Sequence, residues 1–225
     1  MTWLLAVVLL ANPAAAAAPV ASQAAEDLPQ AETGTLIFSR GDCLAVRVFS
    51  ASRFTHVGVV VVRDGMPMVY DSMNGTGVRS QTLADYLESQ RPCRLDLLQP
   101  AKEFTAAETQ RMTDYLDSEV GRPYGVRHHL TGSTASGIHC AEYVTQGLIA
   151  CSRVQAEHPA RVSPASLRAG LLDGNLYRTG ESLEVLEIRP QPNLEDSSWC
   201  ARKWHETQEC THHCYGQMRR WFCCK

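Results

Sequence analysis

The stretch Phe54-Thr55-His56-Val57-Gly58-Val59-Val60-Val61-Val62-Arg63-Asp64-Gly65-Met66-Pro67-Met68-Val69-Tyr70-Asp71 decides how the chain is read. Val57 to Val62 is β-branched except at Gly58, and Asp64-Gly65 is a strong two-residue turn. Together they predict a β-hairpin that returns through Met66 to Tyr70. With that turn, Arg63 pairs with Met66. Counting back sets Gly58 opposite Asp71 and His56 opposite Met73. Side chains alternate faces along a strand, so His56 and Asp71 share a face, diagonal to one another. A slip of one residue would part them.

Working outward, Thr35 to Phe38 reads as a short strand closed by Ser39-Arg40-Gly41-Asp42, and Leu44 to Phe49 as either a strand or a short helix. Downstream, Thr82 to Gln90 reads as a short helix and Arg94 to Leu98 as a strand. Thr105-Ala106-Ala107-Glu108 is a capping box. It opens a helix expected to turn Met112, Tyr115, Leu116 and Val120 inward and to stop at Gly121, with Pro123 beyond. A polar loop, Gly125 to Gly137, leads into a helix from Cys140 to Cys151. Ala141, Val144, Leu148 and Cys151 give that helix one apolar face. Ser163-Pro164 opens a helix through Leu171, and Leu183 to Ile188 reads as a last core strand.

The chain has 225 residues, 44% of them hydrophobic, enough for one substantial core. A charged fraction of 20% and a net charge of −3 provide no basic face for nucleic acid. Residues 1–18 read as a signal peptide: Trp3 to Leu10 is an unbroken apolar run, and Ala14 to Ala18 supplies small residues for cleavage. The run is too short for a transmembrane span, which takes roughly 20 apolar residues. No Lys or Arg precedes it, so an apolar N-terminus on a cytosolic protein stands as the alternative. The expectation is a secreted or periplasmic protein. Residues 19–33 read as a flexible lead-in, 34–190 as the folded body and 191–225 as a Cys/His-rich tail.

Nine cysteines is a high and odd count, and five of them fall between Cys200 and Cys224. In an oxidising compartment such density points to disulfides. One thiol kept for chemistry leaves eight cysteines, enough for four bridges. The tail cysteines and His205, His212 and His213 suit either bridges or zinc. The adjacent pair Cys223-Cys224 favours bridges. The tail is therefore expected to be a disulfide-pinned segment or a small module without apolar periodicity. Arg219, Arg220 and Lys225 beside Trp221 and Phe222 suit a solvated basic face or an anionic surface.

Cys140 follows a Gly-containing polar loop and stands where a helix begins, so the positive end of the helix dipole favours its thiolate. A thiolate is the working nucleophile of a cysteine hydrolase. The alternative is a buried or bridged structural cysteine. His56 with Asp71 on its face fits a base held by a carboxylate, although a strand-end cap is an equally ordinary role for Asp71. His128, His129 and His139 rank lower, with His139 read as a cleft or solvent-facing loop residue outside the catalytic set.

Thr55-His56-Val57-Gly58-Val59-Val60, then Tyr70-Asp71, then Tyr124, then His139-Cys140-Ala141-Glu142-Tyr143-Val144 resembles the permuted NlpC-type papain-fold hydrolases, nearest to the YiiX/YaeF-like group. In that group the His strand precedes the Cys helix, the order seen here. The resemblance runs from about Thr35 to Leu171. It implies an α+β, circularly permuted papain-like fold in which an antiparallel sheet packs against the nucleophile-bearing helix. It also implies catalytic Cys140, His56 and Asp71, a substrate contact by Tyr124, and no metal or organic cofactor. Thr35 departs from the group, which typically carries Asp there in a non-catalytic role. The implied function is a cysteine amide hydrolase acting on cell-wall peptides. Two alternatives stay open: a lipid acyltransferase or lipid amidase on the same triad, and a secreted binding protein working through the tail. Nothing in the sequence fixes the oligomeric state.

Overall fold

The computed structural model describes residues 31–40, 52–90, 93–126, 136–185 and 198–222. Side chains of the last helix are described at 198–204, 206–208, 210–212, 214–215 and 218. The strands are β1 (Leu36–Arg40), β2 (Phe54–Arg63), β3 (Met66–Met73), β4 (Gly77–Thr82), β5 (Cys93–Pro100) and β6 (Tyr177–Val185). The helices are α1 (Leu83–Ser89), α2 (Ala106–Ser118), α3 (Cys140–Ala150), α4 (Pro164–Asp173) and α5 (Trp199–Phe222), with a short 3-10 turn at Pro159–Arg161. The strands form one sheet in the order β4-β3-β2-β1-β5-β6, antiparallel throughout. The expected α+β, permuted papain-like architecture is what the chain adopts.

Alternation along the strands divides the core. Leu36, Phe38, Val57, Val59, Val61, Tyr70 and Val78 face one way, against Met112 and Leu116 of α2, Ala141, Val144 and Leu148 of α3, and Leu167 and Leu171 of α4. Ile37, Val60, Val69, Leu95 and Leu97 face the other way, against Leu83, Tyr86 and Leu87 of α1. The period of two lets one strand serve both layers. This sandwiching explains why β2 reads as a continuous apolar run rather than a clean alternation.

The hairpin forms as its turn demands. Asp64 and Gly65 both take positive φ, 51° and 77°, the backbone twist that closes a tight two-residue hairpin. The ladder runs from Arg63↔Met66 to Val59↔Tyr70, the register the sequence predicts. The capping box at Thr105 is present in full, with Glu108 N–H donating to Thr105 Oγ1 and Thr105 N–H donating to Glu108. α4 has Pro164 in its first turn and a second capping box, between Ser163 and Ser166.

Four expectations change. Val120 is 48% exposed, because α2 ends at Ser118 and its Glu119 cap carries the chain away from the core. The last strand begins at Tyr177 and lies at the sheet edge. Only Tyr177 and Val185 of it are buried, so it is not a core strand; residues 186–188 lie outside the described residues. β4 has no counterpart in the sequence reading, since Gly77 to Thr82 is half-polar. Finally, within the tail Trp199–Phe222 forms one 24-residue helix, α5, an element the sequence reading did not anticipate.

Six cysteines lie among the described residues: Cys93, Cys140, Cys151, Cys200, Cys210 and Cys214. None of them is bridged. Cys151 is buried with its thiol donating to Leu148 O, Cys93 is partly buried, and Cys200, Cys210 and Cys214 of α5 are exposed. The expectation of four bridges finds no support in this arrangement. No described helix is long and apolar enough to cross a membrane. Residues 1–18 and most of the lead-in, Leu44 to Phe49, His128, His129, Cys223, Cys224 and Lys225 lie outside the described residues.

Candidate active site

β2 brings His56 to the sheet end, and β3 brings Asp71 beside it. The diagonal relation deduced from the hairpin is realised: His56 Nε2 lies 2.9 Å from Asp71 Oδ2. Asp71 is fully buried and His56 nearly so. A buried carboxylate needs partners to remain ionised, and this one has two. Arg79 of β4, paired directly opposite Asp71, donates from Nε to Oδ1 at 2.8 Å and from its terminal nitrogen to Oδ2 at 3.2 Å. Burial pushes the Asp71 carboxyl upward, but the His56 and Arg79 contacts outweigh it and hold it below its ordinary value. Asp71 thus stands within β3 as a buried partner of both His56 and Arg79.

α3 delivers the nucleophile candidate. Cys140 is its first residue and is 4% exposed. With Nε2 of His56 committed to Asp71, Nδ1 is the nitrogen left to face Cys140, whose charge acts on the His56 ring. Burial pushes the Cys140 thiol up. The charge of His56 and the hydrogen bonds from His139 and His56 outweigh burial and pull it below the ordinary thiol range. His56 shows the reciprocal effect: burial lowers it, and the Cys140 charge and the Asp71 hydrogen bond raise it well above a free imidazole. Both shifts run in the direction that favours a thiolate beside an imidazolium, the form in which a cysteine nucleophile works.

The backbone around the thiol is pinned on two sides. Ser72, on the strand face opposite Asp71, donates from Oγ to Ile138 O at 2.8 Å. Tyr124 forms an isolated parallel bridge with Ile138, and Ile138 N–H donates to Pro123 O at 2.9 Å. Burial first, then the charge of Cys140, raises the Tyr124 phenol. The Tyr124 segment meets the Cys140 segment at Gly125 and Gly137. A Cβ on Gly137 would lie 2.7 Å from Gly125 N, and one on Gly125 would lie 3.0 Å from Gly137 Cα. Only glycines permit that approach.

Two neighbours, Arg79 and Tyr86, escaped the sequence reading, and a third, His139, was ranked below the catalytic set. Arg79 was legible in principle, because the turn-prone Asn74-Gly75-Thr76-Gly77 sets a second hairpin that pairs Met73 with Gly77 and Asp71 with Arg79. Tyr86 of α1 stacks on the His56 imidazole, centroids 6.4 Å apart and planes 25° from parallel; no local signal marks it. His139 is neither a loop residue nor solvent-facing. It is the N-cap of α3 and is 5% exposed. Among the described residues, no group of three or more His, Cys, Asp and Glu side chains is arranged to hold a metal ion.

The architecture is similar to that in the crystal structure of the metalloprotein YiiX from Escherichia coli O157:H7. The TM-score is 0.56 at 15% identity, over 69% of this chain and 99% of that one. At that identity the likeness speaks to fold alone. No curated protein matches the chain. Residues 30–165, more than half of the chain, match the family described as permuted papain-like amidase enzymes, YaeF/YiiX, C92 family. Matched over more than half of its length, the chain belongs to the C92 family of permuted papain-like amidases and is a cysteine hydrolase.

Proposed function

We propose that the protein is an exported cysteine amidase that cleaves amide bonds in bacterial cell-wall peptides, with Cys140 as nucleophile, His56 as acid and base, and Asp71 as the group that orients His56. The observation that carries this reading is the buried His56–Asp71 pair, held by Arg79, with Cys140 electrostatically linked to His56. Cys140 stands at a helix N-terminus, where the helix dipole adds to the stabilisation of negative charge.

The Cys140 thiolate attacks the amide carbonyl carbon, forming a C–S bond and a tetrahedral oxyanion. The oxyanion collapses as the C–N bond breaks, and the leaving amine takes its proton from His56 Nδ1. A water then gives its proton back to His56 and adds to the thioester. The C–S bond breaks, releasing the carboxylic acid and restoring the thiolate. Throughout, Asp71 accepts from Nε2 and keeps the ring from turning. Tyr124, beside the thiol, contacts the substrate.

A peptide substrate is supported by the polar Gly125 to Gly137 segment that precedes Cys140 in the sequence, rich in Ser, Thr and Gly. Export is supported by the apolar run Trp3 to Leu10 followed by Ala14 to Ala18. Iodoacetamide labelling located by peptide mass spectrometry tests the nucleophile: fast labelling confined to Cys140, slowed in His56→Ala, is expected. Hydrolysis is then compared on stem-peptide amides and lipid amides, with Cys140→Ser as the control. Release of amine from the peptides supports the reading. Turnover of lipid amides alone would move the substrate class, and a Cys140 inert to alkylation would remove the enzyme reading.

A further inference from the structure

We propose that α5 is a membrane-docking helix that lies along an anionic lipid surface, its arc of aromatic, methionine and cysteine side chains against the lipid. The inference goes beyond the amidase reading and does not depend on it.

Every described side chain from Ser198 to Met218 is exposed, so none of them is covered by the sheet or by the other helices. The large apolar ones are not scattered. At 3.6 residues per turn, Trp199, Cys200, Trp204, Cys214, Tyr215 and Met218 fall within an arc of roughly 160°. Arg202, Glu206, Gln208 and His212 fall on the other side. Trp199, Trp204, Tyr215 and Met218 are each more than half exposed, and an open apolar patch of this kind marks an interaction site. The polar residues on the arc are suited to leaving water. Thr207 and Thr211 donate their hydroxyls to Lys203 O and Thr207 O, both at 2.8 Å, so neither hydroxyl depends on a water partner. Lys203 pairs through Nζ with Glu206 at 2.6 Å, and its long stem lets the ammonium stay at the water boundary.

Composition and charge decide what covers the arc. α5 contains no Leu, Ile or Val, the residues that fill a seam between two helices. Trp and Tyr join an apolar ring to a polar edge and settle at the level of lipid headgroups. Residues 198–225 carry five Lys and Arg against two Glu, although the whole chain is net −3. A basic segment on an otherwise acidic protein complements anionic headgroups. An aromatic face on a helix of low overall hydrophobicity, with basic residues around it, suits a position in the interface plane rather than across the bilayer.

The tryptophans make the test direct. The chain has four, at positions 3, 199, 204 and 221, so in the full chain carrying Trp3→Phe all tryptophan emission comes from α5. That protein is mixed with vesicles of phosphatidylcholine alone and of equimolar phosphatidylcholine and phosphatidylglycerol. Flotation and a blue shift of emission are expected with the mixed vesicles, both weakened by salt, and little of either with phosphatidylcholine alone. Trp199→Ser with Trp204→Ser, and Arg219→Gln with Arg220→Gln, should each weaken flotation by about tenfold or more, while melting temperature and Cys140 labelling stay at wild type. No flotation with the mixed vesicles, or equal flotation with both kinds, overturns the proposal. Flotation that survives both pairs of substitutions overturns it too, placing the contact elsewhere, the apolar run Trp3 to Leu10 included. A blue shift without lipid that grows with protein concentration, together with a dimer in sedimentation, would assign the arc to a second copy of the chain and overturn it as well. No substrate is used, so none of these outcomes bears on Cys140 as nucleophile.

Discussion

The Asp71 carboxylate is shared: Oδ2 meets His56 Nε2 at 2.9 Å while Oδ1 meets Arg79 Nε at 2.8 Å. Neither cation holds it alone. Arg79 fixes the carboxylate plane from β4, and the fixed plane fixes the imidazole.

Asp71→Asn should therefore do more than remove a charge. An amide in the same place offers His56 an N–H as readily as a carbonyl, which permits the wrong tautomer. A fall in kcat/KM of roughly a hundredfold or more is expected, with KM little changed. Arg79→Ala leaves Asp71 on His56 alone and should cost less, about tenfold, with partial recovery in Arg79→Lys. Steady-state kinetics on one amide substrate distinguishes these outcomes. Equal losses in Arg79→Ala and Arg79→Lys would show that the bidentate geometry, rather than the charge, is required.

Activity should follow the thiolate–imidazolium pair. Cys140 is pulled down to about 6 and His56 is pushed up to about 10. The active form then exists between those values, giving an acid limb near the first and an alkaline limb near the second. The same pair is linked to stability. The depressed thiol contributes stability that is present above its unfolded value and lost as pH falls through its folded one. The raised imidazole contributes stability that is lost as pH rises through its folded value. In His56→Ala the acid limb of alkylation should move up toward an ordinary thiol. A profile with a single limb, unchanged by that substitution, would contradict the pairing.

How much of this site could be read from sequence depended on the range of the signal. The hairpin is local, and Asp64-Gly65 fixed its register, so the His56–Asp71 diagonal followed by counting. Cys140 was marked by its place at a helix start, again a local signal. Arg79 required a second hairpin across Asn74–Gly77, whose strand is half-polar because β4 is a sheet edge. Tyr86 and the Ser72–Ile138 tie depend on which elements pack together, which no local period encodes. His139 was underrated because the polar loop before it suggested exposure, whereas the cap position and the Ala160 carbonyl bury it. α5 was missed because its exposed positions include Trp199, Trp204, Tyr215 and Met218, so its residue types do not sort as a core-facing helix would.

Gly137 tests whether the loop stem positions the thiol. A Cβ there meets Gly125 N, Gly125 Cα and Tyr124 C, all within 2.8 Å, and all are backbone atoms that cannot swing aside. Gly137→Ala should lower stability by about 1–3 kcal/mol, the usual range for overpacking, and should displace the Cys140 segment by parting the stem. Thermal melting and labelling of Cys140 should both change. Gly65→Ala makes the useful comparison: its φ is 77° but a Cβ there meets nothing. It should lower stability by roughly 1 kcal/mol through backbone strain while labelling stays at the wild-type rate.

Ser72 offers the sharpest separation of stability from catalysis. Its hydroxyl donates to the carbonyl of Ile138, two residues before the nucleophile, and both residues are buried. Ser72→Ala removes the donor with almost no change in volume. The cost of leaving that carbonyl short of a partner is about 1–3 kcal/mol, read as a drop in melting temperature. The same bond sets where α3 begins relative to β3, and therefore the distance between Cys140 and His56. kcat should accordingly fall by at least about tenfold, since displacement of a reacting group by an ångström is costly, while KM stays near wild type. Ser72→Thr retains the hydroxyl and should recover most of kcat if the core accepts the added methyl. A Ser72→Ala enzyme that melts early yet turns over at the wild-type rate would show that Ile138 is held well enough by Pro123 and Gly125, whose contacts to it are 2.9 and 3.4 Å.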